Sequence, residues 1–466
     1  MTGFICQMSG KFMRKSKKKR DAGGEANKDT SRTLAVSCLS RWSSKKSAIG
    51  PVIDRVIYCS GLTSNDKQLA VMLVNGVLRR KQYLDSIIEQ FSSHPLRKMK
   101  TLIKMTLRVG IFQIVFLDRI PDSAAVNETV NVLKDQHQPR WMINFANGVL
   151  RNIVRQKTSL PESETEYNHP DWLIHRWLAR YGRARTLEIC RRNNNEPFLA
   201  LRVNTNLVDP NDLAERFLEA GFAVKPGRFL PEALILESFS GPVADLPGYA
   251  EGMFHVQDEA AQLVTLLCGP FTEERYLDSC AGLGGKTCQM AQLLPEGAQL
   301  VAVEPNDHRV RLLAENVKRL HSTHVSVFHG SLESYSATLP SLFNGILVDA
   351  PCSGTGVIGR HPDIRWNRRE DDLKVYQMTQ ISLLTKASEL VSPGGVLVYA
   401  TCSMEPEENS QVIDAFLQQK NNFTSSDCRS VLPDKAAALV NASGCICTVP
   451  ADGLDGFFGA RLVRLE

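Results

Sequence analysis

From Tyr276 onward the chain repeats one grammar: a short, mostly apolar run, a tight loop, then a helix-length amphipathic segment. The runs are "RYLDS", "AQLVAVE", "VSVFH", "GILVDA" and "GVLVYAT", and "KTCQMAQLL" and "HRVRLLAENVKRL" are two of the helices between them. Strands this short and apolar, alternating with helices, predict a mostly parallel, doubly wound sheet of Rossmann-like type. In such sheets a ligand sits beyond the carboxyl ends of the strands, where the strand order reverses. The residues that end each strand therefore carry the functional information.

The first strand ends in "YLDSCAGLGGKT", residues 276 to 287. Gly285-Lys286-Thr287 matches the end of a Walker A motif, but that motif needs a glycine at position 280, and the residue there is Cys280. A nucleoside-containing cofactor suits the loop better. Asp278 ends the strand, and Gly282, Gly284 and Gly285 let the backbone approach a ligand. Glu304 ends the next strand about twenty residues later, where a carboxylate accepts both ribose hydroxyls. A complete G-x-G-x-x-G is missing, which argues against a dinucleotide pyrophosphate. S-adenosylmethionine, with ribose and adenine but no phosphate, fits best. The competing reading of the loop by itself is a glycine turn with an acid nearby by chance.

Two later strands end in "DAPCSGTG" (349–356) and "ATCSMEPEEN" (400–409), so each delivers a Cys followed by a Ser to the edge where the cofactor is expected. Carbon 5 of a cytosine is too poor a nucleophile to take a methyl group directly. A thiolate that adds first at carbon 6 makes carbon 5 enamine-like and divides one hard step into easier ones. Electropositive surroundings such as Lys286 favour the thiolate. Asp349 is placed to donate or share a proton at ring nitrogen 3. A second cysteine is useful when the adduct is released. The residues alone leave open which cysteine attacks.

The rest of the chain reads as separate modules. Residues 1–47 are polar and rich in Gly, Ser and Lys and predict a disordered basic tail. Residues 48–156 carry helical periodicity almost throughout and predict an all-α domain of about five helices. A polar linker follows at 157–169. Residues 170–260 read as a small α+β subdomain, the expected substrate-facing surface, and 261–466 as the Rossmann-like domain. Net charge is +5, yet "KFMRKSKKKR" at 11 to 20 holds seven Lys or Arg; without them 48 basic residues face 50 acidic ones. Global charge is thus no argument for RNA. The twelve cysteines contain no C-x-x-C pair, so no metal site is expected. No run approaches the roughly 18 apolar residues of a membrane span, and no signal peptide is read, so the expected location is cytoplasmic.

"DAPCSGTG", "ATCS" with "PEEN", "SCAGLGGKT", "VQDEAAQ" and "DGFF" together resemble the RNA cytosine-5 methyltransferases. The helical region resembles the NusB-type RNA-binding domain that precedes the catalytic domain in bacterial small-subunit rRNA methyltransferases of the RsmB (Fmu/Sun) type. The resemblance covers nearly the whole chain from about residue 48. It implies an S-adenosylmethionine-dependent enzyme of the cytosine-967 type, acting on 16S rRNA or free small-subunit RNA, monomeric and without metal. It also implies that Cys402, in the Thr-Cys motif, is the nucleophile and that Cys352, in the Pro-Cys motif, assists product release. The family's cofactor residues carry over onto Cys280, Ala281, Gly282, Leu283, Gly284, Gly285 and Lys286, onto Glu304 at the ribose, and onto Asp349. Arg309 matches a basic position on the following helix. Two places depart from the family: Ser331 stands where an aspartate usually holds the adenine amino group, which implies a weaker or water-mediated contact, and Gly282-Leu283 stands where Ala-Pro is common.

Other candidates divide between function and scaffold. Arg360, His361, Arg365 and Trp366 in "RHPDIRW" are read either as a clamp on a flipped base or as a charged loop with Trp366 packed beneath. Arg79, Arg80 and Lys81 are read as an rRNA contact or a solvated helix face. His255 and His329 are read as structural. A competing function is a NusB-like assembly factor whose catalytic half has decayed, with Ser331 as its support.

Overall fold

The computed structural model describes residues 29–45, 48–160, 167–237, 239, 241–338 and 342–466. Packing divides them into two compact units. One consists of the chain up to Asn195 together with His361–Asn367. Its helices are α1 (Ser31–Lys45), α2 (Gly50–Ile53, continued by a π-turn at Asp54–Tyr58), α3 (Ser64–Arg79), α4 (Lys81–Phe91), α5 (Thr101–Phe116), α6 (Asp122–Asp135), α7 (Arg140–Arg155) and α8 (Asp171–Asn194). The returning segment carries a short α14 (Ile364–Asn367). Helix α5, "TLIKMTLRVGIFQIVF", is buried on all sides from Met105 to Ile114 and is the central helix. Helix α7 shows the one-sided case, burying Met142, Ala146, Val149, Leu150 and Ile153 at helical spacing.

One reading of the sequence is corrected here. Ser31–Lys45 is a packed helix rather than part of an unpacked tail: Leu34, Ala35, Cys38, Leu39 and Trp42 are buried, and Arg32 Nε donates to Gln113 Oε1 on α5 at 2.9 Å. The polar residues between those apolar positions hid the stripe. The basic run at 11 to 20 lies outside the described residues. By packing, α8 groups with the helical unit. Its two halves meet at Gly182, where φ is 71°.

The other unit contains two sheets. The smaller is antiparallel, in the order β2-β3-β1-β4. Its strands are β1 (Leu199–Val203), β2 (Val224–Pro226), β3 (Ala233–Leu236) and β4 (Phe254–Val256). Helix α9 (Pro210–Glu219) lies between β1 and β2 in the chain; Asp209 caps it by accepting from Asn211 N–H at 2.8 Å.

Next in the chain come α10 (Glu259–Leu266), β5 (Arg275–Asp278), α11 (Gly285–Leu293), β6 (Gln299–Glu304), α12 (Asp307–Arg319), β7 (Val325–His329), α13 (Leu332–Ser336) and β8 (Phe343–Asp349). They are followed by α15 (Asp372–Ser388), β9 (Val391–Thr401), α16 (Ser410–Gln419), β10 (Phe423–Ser426), β11 (Ile446–Cys447) and β12 (Phe458–Arg464). The larger sheet runs β10-β12-β9-β8-β5-β6-β7, with β11 against β12. Its strands from β9 to β7 are parallel, and β12 and β10 close the other edge antiparallel. The chain steps from β5 to β6 and β7, then returns across β5 to β8 and β9. The switch point therefore lies between β5 and β8. The expected doubly wound sheet is present. Among the described residues no helix is long and apolar enough to cross a membrane.

Candidate active site

Four strands end side by side in the residues singled out above: β5 in Asp278, β6 in Glu304, β8 in Asp349 and β9 in Thr401, immediately before Cys402. On the β5 side, Asp278 is buried and accepts from Thr287 Oγ1 at 2.6 Å and from Cys280 N–H at 3.3 Å. Burial pushes its carboxyl up to about 6, against the opposing Thr287 hydrogen bond. Burial likewise pushes the Cys280 thiol up to about 12, so this cysteine keeps its proton.

Glu304 organises the glycine loop. Gly282 N–H donates to its Oε2 at 3.0 Å and Asn306 N–H to its Oε1 at 2.9 Å. Gly282 has a φ of 57°, and a Cβ built on it would meet nothing within 4 Å, so the loop's backbone faces open space there. Asn316 Nδ2 donates to Leu283 O at 2.9 Å and holds the loop against α12. These features suit the ribose and amino-acid end of S-adenosylmethionine. The carboxylate keeps acceptor capacity beyond its two backbone partners, and the loop is open on one side.

Lys286, at the start of α11, reaches across to Asp349: Nζ is 2.7 Å from Oδ2, and it also lies 5.0 Å from the centre of the Phe457 ring. Burial works against the Lys286 charge, but the Asp349 charge and hydrogen bond outweigh it, helped by Cys402 and Asp278, and hold the pKa above the ordinary lysine value.

The two motif cysteines meet. Cys352 Sγ and Cys402 Sγ are 3.2 Å apart, well beyond the ~2.05 Å of a disulfide, and both are free thiols. The hydrogen bond to Cys402, with burial and the charges of Cys402 and Glu408, raises Cys352 well above the ordinary thiol value. The Cys402 contact, burial and the Glu408 charge favour the protonated form of Cys352.

Glu408, quoted within "PEEN" but given no role in the sequence reading, is the buried centre of both cysteine loops. Its Oε1 accepts from Ser353 N–H at 2.7 Å and Gln380 Nε2 at 3.1 Å, and its Oε2 accepts from the Ser353 and Ser403 hydroxyls. The loop after β9 closes on itself: Thr401 Oγ1 donates to Asn409 Oδ1 at 2.6 Å, and Asn409 Nδ2 donates to Ser403 O at 2.9 Å. The repeated Cys-Ser pair was the available signal: two hydroxyls beside one conspicuous acid. The two loops also share a glycine contact with "DGFF". Gly456 N–H donates to Gly356 O at 2.8 Å, and a Cβ on Gly356 would lie 2.0 Å from Gly456 O. That docking requires glycine at 356.

The remaining candidates fall outside this cluster. Arg309 is exposed on α12, and its side chain makes no hydrogen bond or ion pair among the described residues. Ser331 caps α13, its hydroxyl accepting from Ser334 N–H at 3.2 Å. The base-clamp reading of "RHPDIRW" is overturned. Arg360, half-buried, is held between two carboxylates, Asp455 of "DGFF" and Asp258 of "VQDEAAQ", the latter at 2.9 Å. Arg365 is buried in the helical unit, where it donates to Asn168 O, Asn193 O and Asn194 Oδ1 at 3.0, 2.8 and 2.6 Å. Trp366 Nε1 donates to Leu78 O at 2.7 Å. Lys81 is also engaged there, its Nζ 4.4 Å from the Trp366 ring centre, and Arg80 lies over Phe116. His255 is buried beside Arg319, and burial and the nearby Arg202 and Arg319 hold it neutral. His329 pairs with Asp307 at 2.9 Å.

Comparison with known proteins matches three regions of the chain. The family model "16S rRNA methyltransferase RsmB/F" matches residues 265–463, "NusB family" matches 29–155, and a ferredoxin-like domain of RsmF/B-like methyltransferases matches 169–243. The probable ribosomal RNA small subunit methyltransferase B of Synechocystis sp. is 32% identical over 93% of this chain and 99% of its own. The ribosomal RNA small subunit methyltransferase B of Klebsiella pneumoniae is 34% identical over 94% and 99%. Among solved structures, PH0851 shares the fold with a TM-score of 0.75 at 22% identity, over 93% of this chain and 99% of that one. Matched on domain order and over nearly its full length, the chain belongs to the RsmB/F family of S-adenosylmethionine-dependent rRNA methyltransferases.

Proposed function

We propose that the protein transfers a methyl group from S-adenosylmethionine to carbon 5 of a cytosine in 16S rRNA, in the cytoplasm, through a covalent adduct between Cys402 and carbon 6. The observation that carries this reading is the Cys352–Cys402 pair, 3.2 Å apart, next to the Lys286–Asp349 ion pair. The cytosine-967 type of activity borne by the resemblance is the specific form we adopt.

Gly282, Glu304 and Asp349 would hold the cofactor, which supplies an electrophilic methyl group. The chain's own residues do the rest. The Cys402 thiolate forms the sulfur–carbon 6 bond, and the displaced electron pair moves through carbon 5 towards nitrogen 3, where the Lys286–Asp349 pair holds a proton. Carbon 5 is then nucleophilic. Once it carries the methyl group, solvent water takes the carbon 5 proton, and the electron pair left behind restores the carbon 5–carbon 6 double bond as the sulfur–carbon 6 bond breaks and the Cys402 thiolate leaves. Cys352 assists that release, and the nitrogen 3 proton returns to the pair. The Cys352 thiol, raised well above its ordinary value by the Cys402 hydrogen bond and burial, supports its assignment to release rather than attack.

The test is methyl incorporation from labelled cofactor into small-subunit RNA that lacks the mark, with bisulfite sequencing to locate it. Label at carbon 5 of one cytosine is expected. No incorporation alongside a working control enzyme removes this reading. It would favour a NusB-like RNA-binding or assembly factor with a weakened catalytic domain, for which the use of Ser331 as a helix cap is the supporting observation.

A further inference from the structure

The carboxylate of Glu408 is fully occupied. Four donors reach its two oxygens: one backbone N–H, two serine hydroxyls and one amide. A carboxylate offers about four lone-pair sites, so none remains for a substrate or cofactor. Among the described residues no hydrogen bond joins it to either cysteine sulfur, yet each serine it binds directly follows one of those cysteines. Neighbouring groups reinforce the position. Gln380 Nε2 donates to Pro351 O at 3.0 Å as well as to Glu408, and Tyr399 Oη donates to Glu408 O at 2.6 Å. Arg368 Nε donates to Ser353 O at 2.9 Å. The residues before and after Cys352 and the residue after Cys402 are thus tied to one buried side chain. The Sγ–Sγ separation of 3.2 Å is a distance between two loops that this side chain joins.

The carboxylate also contributes charge. A buried anion next to Cys352 disfavours a second anion there, and Glu408 is among the groups that raise the Cys352 thiol. On the other side Lys286 interacts with Cys402. We propose that Glu408 is a positioning residue that ties the two cysteine loops together through Ser353 and Ser403 and keeps the shared proton on Cys352, leaving Cys402 as the thiolate. This deepens the reaction proposed above and rests on it for the role of Cys402.

The experiment uses the full-length protein as wild type, Glu408→Gln and Ser403→Ala. A limiting amount of iodoacetamide is added at neutral pH, and the modified cysteines are quantified by mass spectrometry, since thiolates alkylate and thiols do not. In the wild type Cys402 is expected to react ahead of Cys352. In Glu408→Gln the Cys402 to Cys352 ratio is expected to fall about threefold or more, because charge control is lost. Its turnover is expected to fall about tenfold with an unchanged KM for S-adenosylmethionine. Ser403→Ala keeps the charge and loses one tether, so turnover falls while the alkylation preference persists. A Glu408→Gln protein with the wild-type ratio and wild-type turnover overturns the proposal. If that variant does not fold, Ser403→Ala decides, and unchanged turnover overturns it equally. Alkylation needs neither RNA nor methyl donor. A wild type that methylates nothing but loses its Cys402 preference in Glu408→Gln would therefore sink the proposed reaction and still support this role.

Discussion

Glu304 and Glu408 are both buried acids beyond the carboxyl ends of the same parallel strands, and they are held in opposite ways. Glu304 takes two backbone amides, from Gly282 and Asn306, and nothing else among the described residues. Glu408 takes four donors, two of them serine hydroxyls. Backbone amides are present whatever the side chain, so the Glu304 site fixes its loop without restricting that loop's residue types, and it retains lone pairs for a ligand. Hydroxyl donors restrict positions 353 and 403 to residues that can supply them. Remaining acceptor capacity thus separates a carboxylate that meets a ligand from one that holds the scaffold.

The largest expected effects lie at the cysteines themselves. Cys402→Ala should lower methyl transfer by about a thousandfold or more, since the covalent route is lost. Cys352→Ala should instead trap RNA in an adduct that survives denaturing electrophoresis. An adduct accumulating with Cys402→Ala would reverse the two roles. The comparison between the acids is sharpened next by kinetics. Glu304→Ala should raise KM for S-adenosylmethionine about tenfold, whereas Ser353→Ala should lower kcat about tenfold and leave that KM alone. Equal effects on both parameters in both variants would erase the distinction drawn here.

Asp278 offers a smaller test, through stability. Burial holds its pKa at about 6, above the ~3.9 of a free aspartate. The folded protein therefore binds this proton more tightly than the unfolded chain. The stability this gives is fully present below about pH 4 and is lost as pH rises through about 6. Relative to wild type, Asp278→Asn should gain up to ~3 kcal/mol across that window. Denaturation curves that keep a constant difference from pH 4 to 7 would contradict it. Smallest of all, Arg309→Ala should leave KM within about twofold, because an exposed side chain without partners contributes little.

The sequence made the parallel strands and the residues that end them legible, because a short apolar run and its terminal Asp, Glu or Cys are local signals. Cys352 and Cys402 were found for that reason. Glu408 was quoted and passed over, because its importance lies in where two distant serines meet. For Arg360 and Arg365 the sequence left a base clamp and a structural loop both open, since it shows their charge but not the Asp258, Asp455 and Asn194 that meet them. Helix α1 was missed because Ser, Arg and Lys dilute its apolar stripe. The antiparallel pair β10 and β12 was not anticipated either, since Phe423–Ser426 offers only four residues, three of them polar.

The returning segment His361–Asn367 affects how this protein can be made. Ile49 N–H donates to Asp363 Oδ2 at 3.0 Å, Arg365 fills a polar slot between α3 and α8, and Trp366 packs on the helical core. A ribosome synthesises strands β1 to β8 after residue 195 and before residue 361, so the newly made helices must wait, lacking a plug, until four of the eight strands of the larger sheet have been translated. A fragment cut after Asn195 would stay permanently at that stage.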